Sequence, residues 1–248
     1  MKFAAVGALL YTLSMGTDAI TYHFSFLPAA DGSSDGQALQ DDIAFEVKLD
    51  RESTRSLPVV QEWTALSVNQ CDDCPFASSS ESCCPPAVDC ADIVERFAHT
   101  MSVDRVRVTV ELEHRTVVRD TDMQTALGSL LGLIMATSGC PILSQFKGMA
   151  HFHLPFASTE ETLYRTVGAY LLKQYFAQKK GHTADLELAR LKGFYDTLQR
   201  VNDAFMQRVR NAAKRDANLN ALVILFSTSA LVGFSLENDL DALEPFFG

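Results

Sequence analysis

The sequence predicts an α+β fold, an N-terminal antiparallel sheet of about four strands packed with a C-terminal α-helical bundle around one core. Two patterns carry this reading. Between residues 20 and 120 apolar side chains alternate with polar ones, the period of a half-buried strand. From residue 121 to 248 they recur at helical spacing, with capping residues ahead of the runs. No internal repeat is visible, and 248 residues are enough to bury a sizeable core.

Residues 1–19 stand apart. Lys2 followed by the apolar run Phe3 to Met15 resembles a short signal peptide, with Thr17-Asp18-Ala19 as a poor cleavage site. Two other readings compete: a start placed too early, since Met15 lies just before the first strand, and a short helix packed on the body. The run is too short to cross a bilayer as an ordinary helix, so no transmembrane span is expected. A cytoplasmic location is favoured, and a periplasmic or secreted one if residues 1–19 are a signal peptide.

The strands follow. Tyr22, Phe24 and Phe26 alternate with polar neighbours, and after a Gly/Ser/Asp-rich loop (residues 29–42) Phe45, Val47 and Leu49 share a face, which reads as a hairpin. Trp63 to Val68 reads as a third strand, with Trp63 as a core anchor. The stretch Val103 to Val118 has the strongest strand pattern: Val106, Val108, Val110 and Leu112 face inward, and Arg105, Arg107, Thr109, Glu111 and Glu113 form a solvated face.

Between the third and fourth strands lies the most unusual stretch. Five of the six cysteines fall within residues 71–90, and the sixth is Cys140. The Cys71-x-x-Cys74 spacing lets two thiolates turn toward one ion. Cys74, Cys84 and Cys140 are each followed by proline, which lacks an N–H, fixes φ and stiffens a loop that must hold a sulfur in place; Cys-Pro also occurs in cluster-binding runs of ferredoxins. Cys71, Cys74, Cys84 and Cys140 therefore form a candidate ligand set for zinc or an iron–sulfur cluster. Cys83, Cys90, His151 and His153 are weaker candidates. Disulfides and inert or redox-active thiols are the competing readings. Cys90 falls on a helix beginning near Val88, where a cysteine also serves as a small buried residue.

The helical part begins with the capping pattern Thr121-Asp-Met-Gln124. Residues 126–136 carry no charge, so that helix is buried nearly all round, with Gly128 and Gly132 marking close packing. Gly139 ends it, and Cys140-Pro141 follows. In His151-Phe152-His153 an extended backbone would turn both imidazoles the same way. Ser158-Thr-Glu-Glu161 caps a helix over 158–179 whose apolar side is Leu163, Val167, Tyr170, Leu171 and Phe176. A helix over 184–214 repeats Leu191, Phe194, Leu198, Val201, Phe205 and Val209, and its basic end, with Arg208 and Arg210, suits the negative end of the macrodipole. Residues 218–234 read as a buried helix or a subunit interface, and 236–247 as a short acidic amphipathic helix.

Cys71-x-x-Cys74-Pro75, Cys84-Pro85, Ser138-Gly-Cys-Pro141 and Phe152-His-Leu-Pro-Phe-Ala157 together resemble a family of uncharacterised bacterial proteins, with the likeness running from about Ile20 to the C-terminus. The resemblance implies no activity. It does imply that the chain proper starts near the first strand and that Cys83 and Cys90 are additional to the pattern.

The net charge of −10 argues against a general nucleic-acid binder, which needs a basic face. Phosphate-binding Gly-rich loops, the Gly-x-Ser-x-Gly elbow and His-Glu-x-x-His are absent from the sequence. The expected function is metal binding, with the Cys-rich site joining sheet and helices. One alternative is a helical interaction or scaffold module without metal, able to form homo-oligomers through its apolar helices. Another is a thiol- or metal-dependent enzyme using His151 or His153.

Overall fold

The computed structural model describes residues 19–28, 42–50, 61–238, 240–241 and 243–248. The readings of residues 1–18 as a leader and of 29–41 as a loop lie outside these. Four strands, β1 (Ala19–Phe26), β2 (Ile43–Lys48), β3 (Arg105–Leu112) and β4 (Arg115–Asp122), form one antiparallel sheet in the order β2-β1-β3-β4. Six helices accompany it: α1 (Pro85–Arg96), α2 (Met123–Thr137), α3 (Lys147–His151), α4 (Thr159–Lys179), α5 (Ala189–Arg210) and α6 (Ala217–Glu237). This is the α+β arrangement the sequence predicts.

The alternation read from the sequence sets the sheet's inner face. Tyr22 lies opposite Phe45 on one side and Val110 on the other, and Phe24 lies opposite Val108. All five are buried, and Phe24 packs on Phe97, just past α1, with ring centroids 5.1 Å apart. The fourth strand differs from expectation. Val103 to Val118 is not one strand: the chain turns at Glu113-His114 and returns as β4. The turn hides in the sequence because Val118 keeps the parity of Val106, Val108 and Val110, yet Val118 is exposed and it is Val117 that lies opposite Val110. The predicted solvent row is partly neutralised by this strand, since Arg107 donates two hydrogen bonds to Asp120 at 2.6 and 2.7 Å. Arg107 holds the Asp120 carboxyl below its ordinary range.

Trp63 to Val68 is likewise not a sheet strand. Glu62–Thr64 forms one 3-10 turn, and Ala65 makes an isolated bridge to Cys83. The short ladder continues through Leu66 N–H to Ser82 O and Cys84 N–H to Thr64 O, at 2.8 and 2.9 Å. The segment is thus paired with the cysteine loop, not with the sheet. Trp63 is buried, as an anchor should be.

Helix α2 is the central element. Its N-cap is Asp122, whose side chain accepts from Thr125 N–H at 2.9 Å, one residue beyond the predicted cap. It packs on the sheet, on α1 and on α6. A Cβ on Gly128 would meet the backbone oxygen of Ala221 at 3.2 Å, so this glycine sets the α2–α6 approach. After α2 a 3-10 turn (Leu143–Phe146) leads into α3.

Three helical faces depart from their predicted pattern. The capping box of α4 forms as read, with Ser158 and Glu161 exchanging bonds. Yet its inward residues are Leu163, Thr166, Val167 and Gln174, while Leu171 and Phe176 are exposed. The second half of α4 therefore has its aromatic side in solvent. Helix α6 is half-covered: Ala221, Leu222, Val232 and Leu236 face α2 and α5, while Val223, Leu231 and Phe234 are exposed. By length and composition alone α6 is the one helix among the described residues long and apolar enough to cross a membrane. The tail forms a 3-10 turn at Glu244–Phe246 in place of an amphipathic helix. Even so, one hydrophobic cluster runs from Ile20 in the sheet to Leu236 and Leu243.

Two glycines on different helices give opposite expectations. Gly128→Leu should lower unfolding free energy in urea by about 1–3 kcal/mol, because the side chain meets backbone across a packed interface. Gly168→Ala, in α4 with open space around its Cβ, should raise it by about 0.5–1 kcal/mol through helix propensity.

Candidate functional site

The six cysteines form no disulfide. The structure brings four of them into one neighbourhood. Cys71 and Cys74 occupy a turn closed by Cys74 N–H to Cys71 O at 3.0 Å. Cys84 is the N-cap of α1, and Cys140 follows the C-terminus of α2. Burial pushes the Cys71 thiol up to about 12, and Cys74, Cys84 and Cys140 all add to the rise. Burial raises Cys84 to about 11, with Cys140 and Cys74 contributing, and Cys140 feels Cys74 in turn. Each sulfur therefore lies in the field of others from separate segments: loop, helix start and helix end.

The proline after Cys84 and Cys140 has a local consequence. With no N–H at the next residue, the amides that follow turn back toward the sulfur. Ile142 and Leu143 N–H do so at Cys140, and Ala87 N–H does so at Cys84; all favour the thiolate. Pro85 and Pro86 also start α1, so Cys84 sits at the positive end of a helix dipole.

A fifth participant is Arg208, only 2% exposed. The macrodipole reading of this residue is corrected: its guanidinium turns inward and donates to the carbonyls of Trp63 (2.8 Å), Ala65, Leu66 (3.3 Å) and Asn69 (3.5 Å). It favours the Cys84 thiolate, and Cys84, Cys71 and Cys74 in turn support its charge. Arg200 reinforces the same joint, donating to Asp73 at 2.6 Å between the paired cysteines. The loop that carries Cys71 and Cys74 is thus tied to α5 by two arginines.

Among the described residues no group of three or more His, Cys, Asp or Glu side chains is arranged so that it would hold a metal ion as it stands. The four thiols are neighbours, but they do not converge on one point.

A family model described as Domain of unknown function (DUF6901) matches residues 20–248, every element from β1 to α6. The chain belongs to this family. No curated protein and no solved structure matches it.

The remaining candidates in this DUF6901 chain lie elsewhere. Cys90 is fully buried in α1 within the core, and Cys83 is buried beside Ser82, its sulfur 3.6 Å from the Ser82 hydroxyl. His151 ends α3 on the surface, where it acts on Asp50. His153 is buried. The backbone is helical at His151, so the two imidazoles do not share an extended face. Neither histidine is among the groups that act on Cys71, Cys84 or Cys140.

His153 belongs to a different network. Its Nε2 lies 2.6 Å from Tyr22 Oη, which lies 2.7 Å from Ser129 Oγ, and Ser129 accepts from Phe156 N–H at 3.2 Å. Burial, with the charges of Arg165 and Arg115, pulls His153 down to about 3, and burial pushes Tyr22 well above its ordinary range. Both are neutral at pH 7. Tyr22 Oη is thus hydrogen-bonded on both sides, to the neutral imidazole of His153 and to the Ser129 hydroxyl. This chain ties β1 to α2 and to the segment after α3; it does not activate a nucleophile.

The depressed His153 sets a pH dependence. Above its unfolded value of about 6.5 both states are neutral, and the group contributes nothing. Below it the unfolded chain takes up a proton that the folded chain refuses until about pH 3, so stability falls with pH. Between pH 7 and 4.5, above most carboxylate titration, urea unfolding should show a loss of about 2–3 kcal/mol. His153→Gln should flatten that slope while lowering stability at pH 7.

Proposed function

We propose that this chain is a metal-binding protein that holds a zinc ion or an iron–sulfur cluster through Cys71, Cys74, Cys84 and Cys140. One observation carries the reading: four thiols from three separate segments lie in each other's electrostatic fields, with amide N–H groups and a buried guanidinium beside them. Four thiolates are a donor set suited to structural zinc and to iron–sulfur clusters alike. Buried thiols pushed to 11 and 12 are poor thiolates without a cation, and a bound metal supplies one. Amides and an arginine near sulfur are the surroundings that offset the negative charge of such a centre. Coordination requires the sulfurs to close to about 2.3 Å from zinc. Rotation between cysteine rotamers moves a sulfur by about 3 Å and is the adjustment this reading relies on.

The test is metal and acid-labile sulfide content, with an absorption spectrum, on protein purified without oxygen. About one zinc per chain without colour indicates a zinc site; iron with sulfide indicates a cluster. Cys71→Ser, Cys74→Ser, Cys84→Ser and Cys140→Ser should each lose most of the metal, and Cys90→Ser should keep it. Arg208→Gln should weaken retention against a chelator by 10-fold or more. Metal-free protein, or loss that does not follow these four cysteines, overturns the reading.

A second reading, a helical interaction module, is favoured by one observation. Helix α4 exposes Leu172, Tyr175 and Phe176, and α6 exposes Val223, Leu231 and Phe234. Unchanged oligomeric state after replacement of all four cysteines, together with absence of metal, would favour it.

A further inference from the structure

A cavity of about 470 Å³ lies away from the cysteines, between α2, α4, α5 and α6 and the segment after Cys140. Its size falls in the range of small-molecule sites. Most of its wall is apolar, including Leu133, Leu143, Phe146, Leu198 and Leu225. Along α2 it extends from Thr125 to Ala136, about 16 Å at the helical rise of 1.5 Å per residue. Glycine at 128 and 132 lets α6 lie close to α2 along this length.

Its charge is unlike that of the rest of the chain. The sequence holds 31 acidic residues, yet among the described residues no Asp or Glu lines the cavity, while Arg119 and Arg165 do. Arg119 is exposed and Arg165 half-buried, which puts positive charge at the opening. Both guanidiniums are held by backbone carbonyls. Arg165 donates to Met149 O (2.8 Å) and Phe152 O (2.9 Å), and Arg119 donates to Phe156 O (3.5 Å) and stacks over the Phe156 ring. Arg115, bonded to His153 O at 3.0 Å, adds its field to Arg165. Glu161 is the one acid acting on Arg165, and among the described residues no carboxylate ion-pairs with any of the three. A guanidinium has five N–H donors, so these carbonyl bonds fix each fork and leave donors unused.

We propose that this cavity binds an amphiphile with one anionic head and an unbranched apolar body, a medium-chain acyl carboxylate being the simplest member. The head pairs with Arg119 and Arg165, and the body runs along α2 toward Leu143 and Phe146. At about 30 Å³ per water-sized group the volume admits roughly 15 non-hydrogen atoms, a chain of about a dozen carbons with its head. The neutral His153 and Ser129 at the wall are already bonded to each other through Tyr22, and so leave the apolar body undisturbed. This site is independent of the metal centre and stands whether or not metal is found there.

The test is calorimetric titration of the full chain with dodecanoate and with dodecanol, both below the concentrations at which they aggregate. One dodecanoate should bind per chain, at least 10-fold tighter than dodecanol. Arg119→Gln with Arg165→Gln should bring the acid down to the level of the alcohol and leave the alcohol unchanged. Ala136→Phe, filling the apolar end, should weaken both, with helical content checked by circular dichroism. Saturable 1:1 binding with these dependences supports the proposal. Absence of binding, non-saturable uptake onto the exposed faces of α4 and α6, or equal affinity for acid and alcohol in the unaltered chain overturns it. The arginine pair alone decides the matter if Ala136→Phe fails to fold.

Discussion

Helix α2 carries no charge from Met123 to Thr137, and the structure depends on covering it on every side. A helix apolar all round gains nothing from an exposed face. The sheet and α1 take one side, α6 the other, and the turn leading into α3 folds back along it. The close α6 contact requires the absence of a side chain at Gly128, where only 3.2 Å separates a would-be Cβ from the Ala221 carbonyl. Once α2 is fixed, so is its C-terminus, and Cys140 comes to rest opposite the loop and helix start that carry the other three thiols.

A second constraint acts from α5. A buried guanidinium is costly unless its donors are satisfied. Arg208 satisfies them with carbonyls of Trp63, Ala65, Leu66 and Asn69, in a stretch whose own backbone pairing is limited to one 3-10 turn and a short ladder to residues 82–84. The arginine thereby gathers carbonyls across that loop, and it brings a positive charge to the sulfurs. One side chain ties the cysteine loop to the helical half and shapes the electrostatics of the site.

Much of this was legible in the sequence, and the failures share a cause. Tyr22, Phe24, Val106, Val108 and Val110 announced the sheet face because period-2 burial is a local pattern. The capping box of α4 was readable for the same reason. Proline after cysteine pointed to sulfurs held in stiff turns, and three of the four neighbouring cysteines carry it. Decisions made by distant partners were not readable. Helical spacing puts Arg208 on the stripe of Val201 and Phe205 and Arg210 off it, but the carbonyls that satisfy an inward arginine lie 139 to 145 positions away and are not local. The Glu113-His114 turn was masked by Val118, which keeps the parity of the β3 valines although the return of the chain leaves it exposed and turns Val117 toward Val110. Leu171 and Phe176 obey helical spacing, but the face that α4 turns inward is that of Leu163, Thr166, Val167 and Gln174, and Gln174 is drawn in by Asp185 and Arg190. His153 was separated from the cysteines by its bond to Tyr22, a contact across 131 positions of sequence.

The two sites share one stretch of chain. Residues 140–156 leave α2 at Cys140 and pass through Leu143 and Phe146, which wall the cavity, to the carbonyls of Met149, Phe152, His153 and Phe156, each held by an arginine. Only the short helix α3 and one 3-10 turn supply internal backbone bonds here, so the stretch is shaped chiefly by its anchors. One anchor is the Cys140 sulfur with its two amide donors; the others are Arg115, Arg119 and Arg165. Their guanidiniums bond to backbone oxygens, and among the described residues none of the three forms an ion pair, Glu161 acting on Arg165 only at longer range. A structural role needs only the donors of an arginine, and a neutral asparagine or glutamine could meet a carbonyl without bringing a charge. Arg119 and Arg165 on the wall of one cavity in an acidic protein, with Arg115 close enough to act on Arg165, suit the anionic head proposed above.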